Sequence, residues 1–379
     1  MKPILAYESN FAESPSDKIN HVHTNITCIP IHIYRNASIF HAYPWSYSGL
    51  LPPHTIVSRS SGYIGGAVLE RLLKHHTAPR SVITALVRNA AKAPMFASIG
   101  VKAVLGSLDD VALLEQQASE SDVVFACADA DHVRACEAIL RGLKKRHETT
   151  GTVPILVHTS GTGVLIDNAK GMYAYDTIWD DMNPDQLETL PDTQFHRNVD
   201  LLVVAADKQG YARTHIVLPS TIYDFATGPL VTMGIQNPRS VQIPRLVSAS
   251  MTRKRAGMVG LGLNKWPNVH IDDVADLYVV LYDAILDGRA SHGRDGPIGE
   301  VLVELGVSSP DEEMPTSFDE TDYARPENRS LLQLGTNSRC KAKRARALGW
   351  KPKYTTEDML KSIRGEVEWQ LKFKQQSSL

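Results

Sequence analysis

Between residues 54 and 220 the chain alternates short runs rich in β-branched residues with stretches of helical periodicity, and no other feature limits its fold so strongly. The runs are HTIVS (54–58), VITALVR (82–88), KAVLG (102–106), DVVFACA (122–128), PILVHTS (154–160) and THIVLPS (214–220). Helical spacing fills 65–76, 89–99, 109–119, 131–145 and 198–209. Runs that are apolar at successive positions bury both faces of a sheet, and strands separated by helices pair in parallel. The expected class is α/β, a doubly wound parallel sheet covered by helices on each side.

The same pattern divides the chain. Residues 1–53, rich in His, Asn, Ser, Tyr and Pro and without a sustained period, read as an irregular extension. Residues 54–218 form the sheet domain, and 219–379 a smaller cap domain over the carboxyl ends of the strands. In the cap, 271–286 is a long amphipathic helix with Asp272 or Asp273 as its cap. A second helix covers 355–373, with Thr355 or Thr356 as cap and Glu357 in the first turn. The glycosylation-like triplets at Asn25 and Asn36 read as chance matches, because no signal peptide precedes them.

Composition then removes several classes of function. Forty Lys and Arg against forty-two Asp and Glu leave a net charge of -2, which gives no electrostatic case for nucleic acid or an anionic membrane. A small-molecule partner is expected. The longest apolar runs, such as LLVVAA (201–206), fall far short of the roughly 18 residues that span a bilayer. Four cysteines, Cys28, Cys127, Cys136 and Cys340, include no CxxC pair, so neither a metal site nor a disulfide framework is expected. A reducing, cytoplasmic setting fits that usage.

The segment SRSSGYIGG (58–66) follows the first run and opens a helix, the context that a dinucleotide-binding fingerprint needs. Gly62 would let the backbone approach a pyrophosphate, while Gly65 and Gly66 would allow close packing of helix on strand. Tyr63 and Ile64 lie in the first turn, whose free N–H groups and partial positive charge suit phosphate.

This loop resembles that of the extended and atypical short-chain dehydrogenase/reductases, which include epimerase/dehydratase-like and NmrA-like NAD(P)-binding proteins. The resemblance runs over about residues 54–373. The family's loop reads TGATGYIGG, and Arg59 stands here where its first glycine is expected. A side chain at such a turn costs about 1–3 kcal/mol of strain, unless Arg59 is repaid by pairing with a phosphate. The resemblance implies a Rossmann domain that binds NAD(P).

In this family a carboxylate at the end of the second strand receives the ribose of NAD, whereas arginine accommodates the 2′-phosphate of NADP. No Asp or Glu occurs between Arg71 and Leu108, while Arg88 and Lys92 form a basic pair there, so NADP is expected over NAD. By the same resemblance Ser107 and Leu108 lie beside the adenine, and Ala126, Cys127 and Ala128 pass beneath the cofactor. Cys127 also reads as a small buried apolar residue. Pro219 belongs to IVLPSTIYDFATGPL (216–230), which resembles the family's RPxxVYGPG segment along the nicotinamide and substrate pocket.

Family chemistry uses a Ser or Thr after the fifth strand, a Tyr as acid/base, and a Lys four residues later that lowers the tyrosine pKa. Ser160 matches the first, with Thr159 or Thr162 as substitutes, but the chain has no Tyr-x-x-x-Lys. His196 and Asp200 occupy the positions of that pair. They read either as a couple in which Asp200 orients the ring of His196 for proton exchange, or as a helix-end anchor. Tyr173 and Tyr175 are candidate acids from a neighbouring loop, or packing residues.

Further on, WPNVHIDDVADLY (266–278) is similar to the family's FVHVDDVA, and LGWKP (348–352) to its LGW-x-P hallmark. The basic run Lys341–Arg346 reads as an exposed helix face. Residues 287–298 are short and Gly-rich where relatives carry another strand and the start of a helix, which implies an incomplete cap. The resemblance as a whole implies hydride transfer between NADP(H) and a carbonyl or alcohol of a small organic or sugar-derived substrate. Its alternative is a non-catalytic, NmrA-like dinucleotide sensor that regulates a protein partner, and a homodimer is compatible with either.

Overall fold

In the central strands neighbouring residues face opposite cores. Ile56, Leu86, Val124 and Leu156 enter one apolar cluster, whereas Val57, Val87, Phe125 and Val157, each the next residue along, enter the other. Such strands are stable only with both faces covered, as the continuous apolar runs require. The computed structural model describes residues 53–295, 298–299 and 316–376. The extension read over 1–53 lies, but for its last residue, outside them.

The strand β1 (His54–Val57) leads into helix α1 (Tyr63–Lys74) and then β2 (Val82–Val87). A short helix α2 (Ala93–Ala97) precedes β3 (Lys102–Leu105). Next come α3 (Val111–Ser119), β4 (Val123–Ala126), α4 (Val133–Thr150) and β5 (Ile155–Thr159). A loop holding β6 (Trp179–Asp180) and α5 (Pro184–Glu188) connects to α6 (Arg197–Lys208), β7 (Arg213–Leu218) and β8 (Thr221–Tyr223). The remainder comprises α7 (Pro229–Thr232), α8 (Gln242–Arg253), β9 (Gly257–Met258), β10 (Asn268–His270), α9 (Ile271–Leu286) and β11 (Ile298–Gly299). It closes with β12 (Thr316–Ser317), α10 (Glu320–Ala324), β13 (Cys340–Lys341), α11 (Lys343–Ala347) and α12 (Thr356–Gln376).

The sheet runs in the order β11-β7-β5-β4-β1-β2-β3, every pair parallel. This is the doubly wound arrangement expected. α1 and α9 cover one face through Leu69 and Leu277, while α3, α4 and α6 cover the other through Leu114, Leu143 and Val203. Strand order reverses between β1 and β4, so the chain leaves their carboxyl ends in opposite directions and a crevice opens there. Each of the six strand runs read from the sequence overlaps one of these strands. Residues 298–299 supply a further one beside Val217 and Leu218, correcting the expectation that this strand is missing.

One other expectation is corrected by side-chain contacts. His270, not Asp272 or Asp273, caps α9, its Nδ1 accepting from the N–H of Asp272 at 3.1 Å. Asp272 instead pairs with Arg71 of α1 at 2.7 Å, and Asp273 accepts from the N–H groups of Lys353 and Tyr354 at 2.9 and 3.1 Å. The basic run is the exposed helix face expected, with Lys341, Lys343 and Arg346 exposed, and two of its cations find partners there: Lys343 pairs with Asp180, and the Arg344 guanidinium donates to the carbonyl of Asp181. Its sequence carries the acidic partners far upstream, beyond the reach of any local pattern.

The two C-terminal motifs thus form one joint. Trp350, almost fully buried, donates its indole N–H to the carbonyl of Asp273 at 2.8 Å and packs in the same cluster as Leu277 and Leu281. We expect Trp350→Ala to lower the unfolding free energy by about 3–5 kcal/mol, the usual result of emptying a large core site. Denaturant titration checks this, and a loss under about 1 kcal/mol would show that the tail does not anchor the sheet domain.

Candidate cofactor and substrate cleft

The crevice at the carboxyl ends of the strands is a cleft of about 340 Å³. Loops at the strand ends build much of its wall. The β1–α1 turn contributes Arg59, Gly62, Tyr63 and Ile64; the end of β4 contributes Cys127 and Ala128; the end of β5 contributes Ser160 and Thr162; and the loops flanking α6 and β7 contribute His196 and Pro219. Sequence reasoning had singled out all of these residues.

The turn itself is stressed as expected. Arg59 has φ of 51°, a left-handed conformation natural to glycine, and its carbonyl accepts from the N–H of Gly62 at 2.7 Å. A Cβ on Gly65 would lie 2.5 Å from that carbonyl oxygen, and one on Gly66 would lie 2.4 Å from Cγ of Gln236. Gln236 in turn donates to the carbonyl of Tyr63 at 2.9 Å, so the helix start is clamped from the cap side. The phenol of Tyr63 is turned away from phosphate, donating to the carbonyls of Tyr223 and Asp224 at 3.0 and 2.6 Å.

Other expected cofactor residues sit apart from the cleft. Arg88 is exposed just beyond β2, whereas Lys92 donates to the carbonyl of Ile235 at 2.8 Å. Ser107 is held in a local turn, its N–H donating to Asp110 at 2.6 Å and its Oγ accepting from the N–H of Asp109 at 3.1 Å. Leu108 and Ala126 line a separate hollow of about 20 Å³, about enough for one water. Burial pushes the Cys127 thiol up to about 12, which makes it the inert apolar residue of the two readings.

His196 and Asp200 are not a couple. His196 has φ of 67°, so it stands outside the helical backbone that an i, i+4 pairing presumes. Its Nδ1 meets Asp131 at 2.8 Å, and its Nε2 lies over the backbone of Gly161 and Gly163, where an added Cβ would come within 3.2 and 3.1 Å. Asp131, not Asp200, is the carboxylate against the His196 ring. Burial holds His196 below the ordinary histidine value, against the opposing pull of Asp131.

Asp200 is buried behind Ser160, whose hydroxyl donates to it at 3.0 Å. Desolvation raises its pKa to about 7 despite that hydrogen bond. His158, on β5, approaches its other oxygen at 3.6 Å, too far for a hydrogen bond, and burial lowers the imidazole to about 4. At neutral pH this contact is therefore not an ion pair. His158 and Asp131 escaped sequence reasoning, since neither carries a motif. Tyr173 and Tyr175 are half exposed and do not line the cleft; only their carbonyls are used, by Asn337 and Arg339.

Comparison with known proteins agrees with this geometry. Residues 60–175 match the NAD(P)H-binding family. The oxidase ucsJ of an Acremonium species is 30% identical over 328 residues, covering 77% of this chain and 91% of that protein. The chain belongs to the family of this oxidase, with an NAD(P)H-binding domain over residues 60–175. An uncharacterised protein of Schizosaccharomyces pombe is 24% identical over 79% of the chain and 95% of its own length. Among solved structures, the UDP-glucose 4-epimerase of Thermotoga maritima shares the fold at TM-score 0.54 and 14% identity, over 84% of this chain and 99% of its own. The dTDP-glucose 4,6-dehydratase DesIV of Streptomyces venezuelae, solved with NAD, does so at 0.53 and 20%, over 82% and 96%. Within this family the departure at Arg59 is the one a binding experiment reaches directly. We expect Arg59→Gly to tighten NADPH binding, measured by fluorescence titration, because it frees the turn. Weaker binding would identify Arg59 as a phosphate ligand.

Proposed function

We propose that this family member is an NADP(H)-preferring oxidoreductase that interconverts an alcohol and a carbonyl on a small substrate. The observation that carries the reading is that Ser160 and His196 both line the cleft bounded by the glycine turn, with His196 Nε2 over the backbone of Gly161 and Gly163. The close approach at Gly65 and the small Cys127 and Ala128 leave the space a dinucleotide needs. The N–H groups at the start of α1 would hold its pyrophosphate, with Cys127, Ala128 and Pro219 against its far end. The bound cofactor would supply the hydride chemistry.

The chain's own part is to orient the substrate and exchange a proton. With Asp131 taking the hydrogen on Nδ1, the neutral ring of His196 offers Nε2 as an acceptor, suited to removing a proton from an alcohol. The imidazolium so formed is stabilised by Asp131, and in the reverse direction it protonates the carbonyl oxygen. Ser160 fixes that oxygen. When Asp200 is ionised it holds the serine hydrogen and leaves a lone pair facing the cleft; when Asp200 is protonated the hydrogen is released to a carbonyl.

His196→Ala should lower kcat by about 10²–10⁴-fold with little change in NADPH affinity. Alcohol oxidation should fall on the acid side as the His196 ring gains its proton, at a pH below the ordinary histidine value. Asp131→Asn removes a group that favours the charged ring, so the acid limb should move to still lower pH. Turnover in His196→Ala equal to that of the parent would remove His196 from the chemistry. A dinucleotide sensor would bind NADPH and turn over nothing.

The preference for NADPH over NADH rests on Arg88 alone, since Lys92 is committed to Ile235. Arg88→Glu should equalise the two cofactors or reverse their order. Matching titration curves for NADPH and NADH in the unaltered protein would end this part of the proposal.

A further inference from the structure

Three buried polar atoms on the substrate side of the cleft have no hydrogen-bond partner: Thr162 Oγ1, Ser220 Oγ and Trp266 Nε1. Thr162 is 1% exposed and Ser220 5%. Their backbones are stitched side by side. The N–H of Thr162 donates to the carbonyl of Pro219 at 2.9 Å, and that of Thr221 to the carbonyl of Pro267 at 3.2 Å. Ser338 backs the group, its Oγ donating to the carbonyl of Thr162 at 2.6 Å and its N–H to that of Lys265 at 3.0 Å. The backbone of Thr162 is satisfied on both sides, while the polar side-chain atoms of all three residues are buried in the cleft wall without partners. Dry polar groups of this kind weaken a fold, and a ligand that supplies the missing partners makes them useful.

The chemistry of the set defines what it binds. An indole N–H only donates, so the ligand must present an acceptor oxygen to Trp266; the two hydroxyls can meet further oxygens as donors or acceptors. Around them stand the apolar side chains of Ile166, Phe195, Ile222 and Val241. Charge is scarce. Among the described residues no carboxylate lines the cleft, and of its two arginines Arg59 belongs to the cofactor turn. Arg239 is ion-paired with Glu366 and lies over the Trp369 ring at 3.7 Å from its centroid, so it is already neutralised. Apart from Arg59 of the cofactor turn, a diphosphate would find no uncommitted arginine among the lining residues.

We infer that Thr162, Ser220 and Trp266 form an oxygen-recognition set for an uncharged substrate, a hydroxyketone, lactone or similar oxygenated carbon skeleton, rather than a nucleotide sugar. This rests on the proposed oxidoreductase reading and names the substrate class of that site.

Two measurements test it. Thr162→Val and Ser220→Ala delete hydroxyls that have no partner in the ligand-free protein, so the thermal midpoint should stay level or rise; a fall of several degrees would reveal structural partners and overturn the inference. Saturation-transfer NMR with hydroxyacetone, δ-valerolactone, cyclohexanone and UDP-glucose then compares ligands, with and without NADPH. Uncharged probes should bind, with about two- to tenfold weaker affinity in Trp266→Phe and Ser220→Ala. UDP-glucose binding more tightly than every uncharged probe, or binding by no uncharged probe, would overturn it. Absence of NADPH binding would sink the oxidoreductase reading instead, and the cofactor-free probe series would still decide the substrate class.

Discussion

The parallel pairing of β1 with both β2 and β4 governs everything functional in this molecule. Thr55 sits between Ile83 on one side and Val123 on the other, so β1 is the centre from which the two halves of the sheet wind outward. Because parallel strands present all their carboxyl ends to one edge, the loops that follow β1, β4, β5 and β7 must gather there. The cleft is the consequence of that gathering. Its residues come from positions more than a hundred apart in the chain, and those of the sheet domain lie close beyond a strand end or at the start of a helix. The clamps on the cap side, Gln236 on Tyr63 and Asp272 on Arg71, keep α1 aimed at the crevice.

What the sequence disclosed is what short-range physics encodes. Successive apolar residues in VVFA and ILV announce strands buried on both faces, and the glycines of 62–66 announce a close backbone approach. Pairings across loops have no such signature. The spacing of His196 and Asp200 suits a couple only where both have helical backbone, whereas the left-handed residue at the helix start sends the imidazole toward Asp131. In the same way the HIDD and LGWKP segments read as two independent hallmarks, and only the fold shows Trp350 closing onto Asp273. Trp266 and Ser220 escaped notice for a related reason: a single indole or hydroxyl has meaning only through what fails to surround it.

Arg59 shows how a departure from a family pattern can be tolerated. The left-handed turn is kept, since the carbonyl of residue 59 must still accept from Gly62 and pass under Gly65. Its side chain escapes the core and reaches solvent, so the cost is confined to backbone strain of about 1–2 kcal/mol. Surrounding contacts can carry that amount. Strain of this size does not abolish the site, and it leaves room for an added phosphate contact to repay it.

The deepest electrostatic feature lies one layer behind the cleft. Asp200 and His158 are both buried, and burial moves their pKa values in opposite directions, to about 7 and about 4, so that each favours its neutral form. A neutral imidazole cannot stabilise the carboxylate, which leaves the Ser160 hydrogen bond as its main support and makes the direction of that hydrogen depend on the ionisation of Asp200. For folding, the sign follows from linkage. A carboxyl whose pKa is raised in the folded state penalises folding as pH rises from the unfolded value near 4 toward 7, where its ionisation in the folded protein completes the cost. A protein that keeps such a group beneath its proposed substrate oxygen accepts lower stability at neutral pH in exchange for a serine whose hydrogen can point either way.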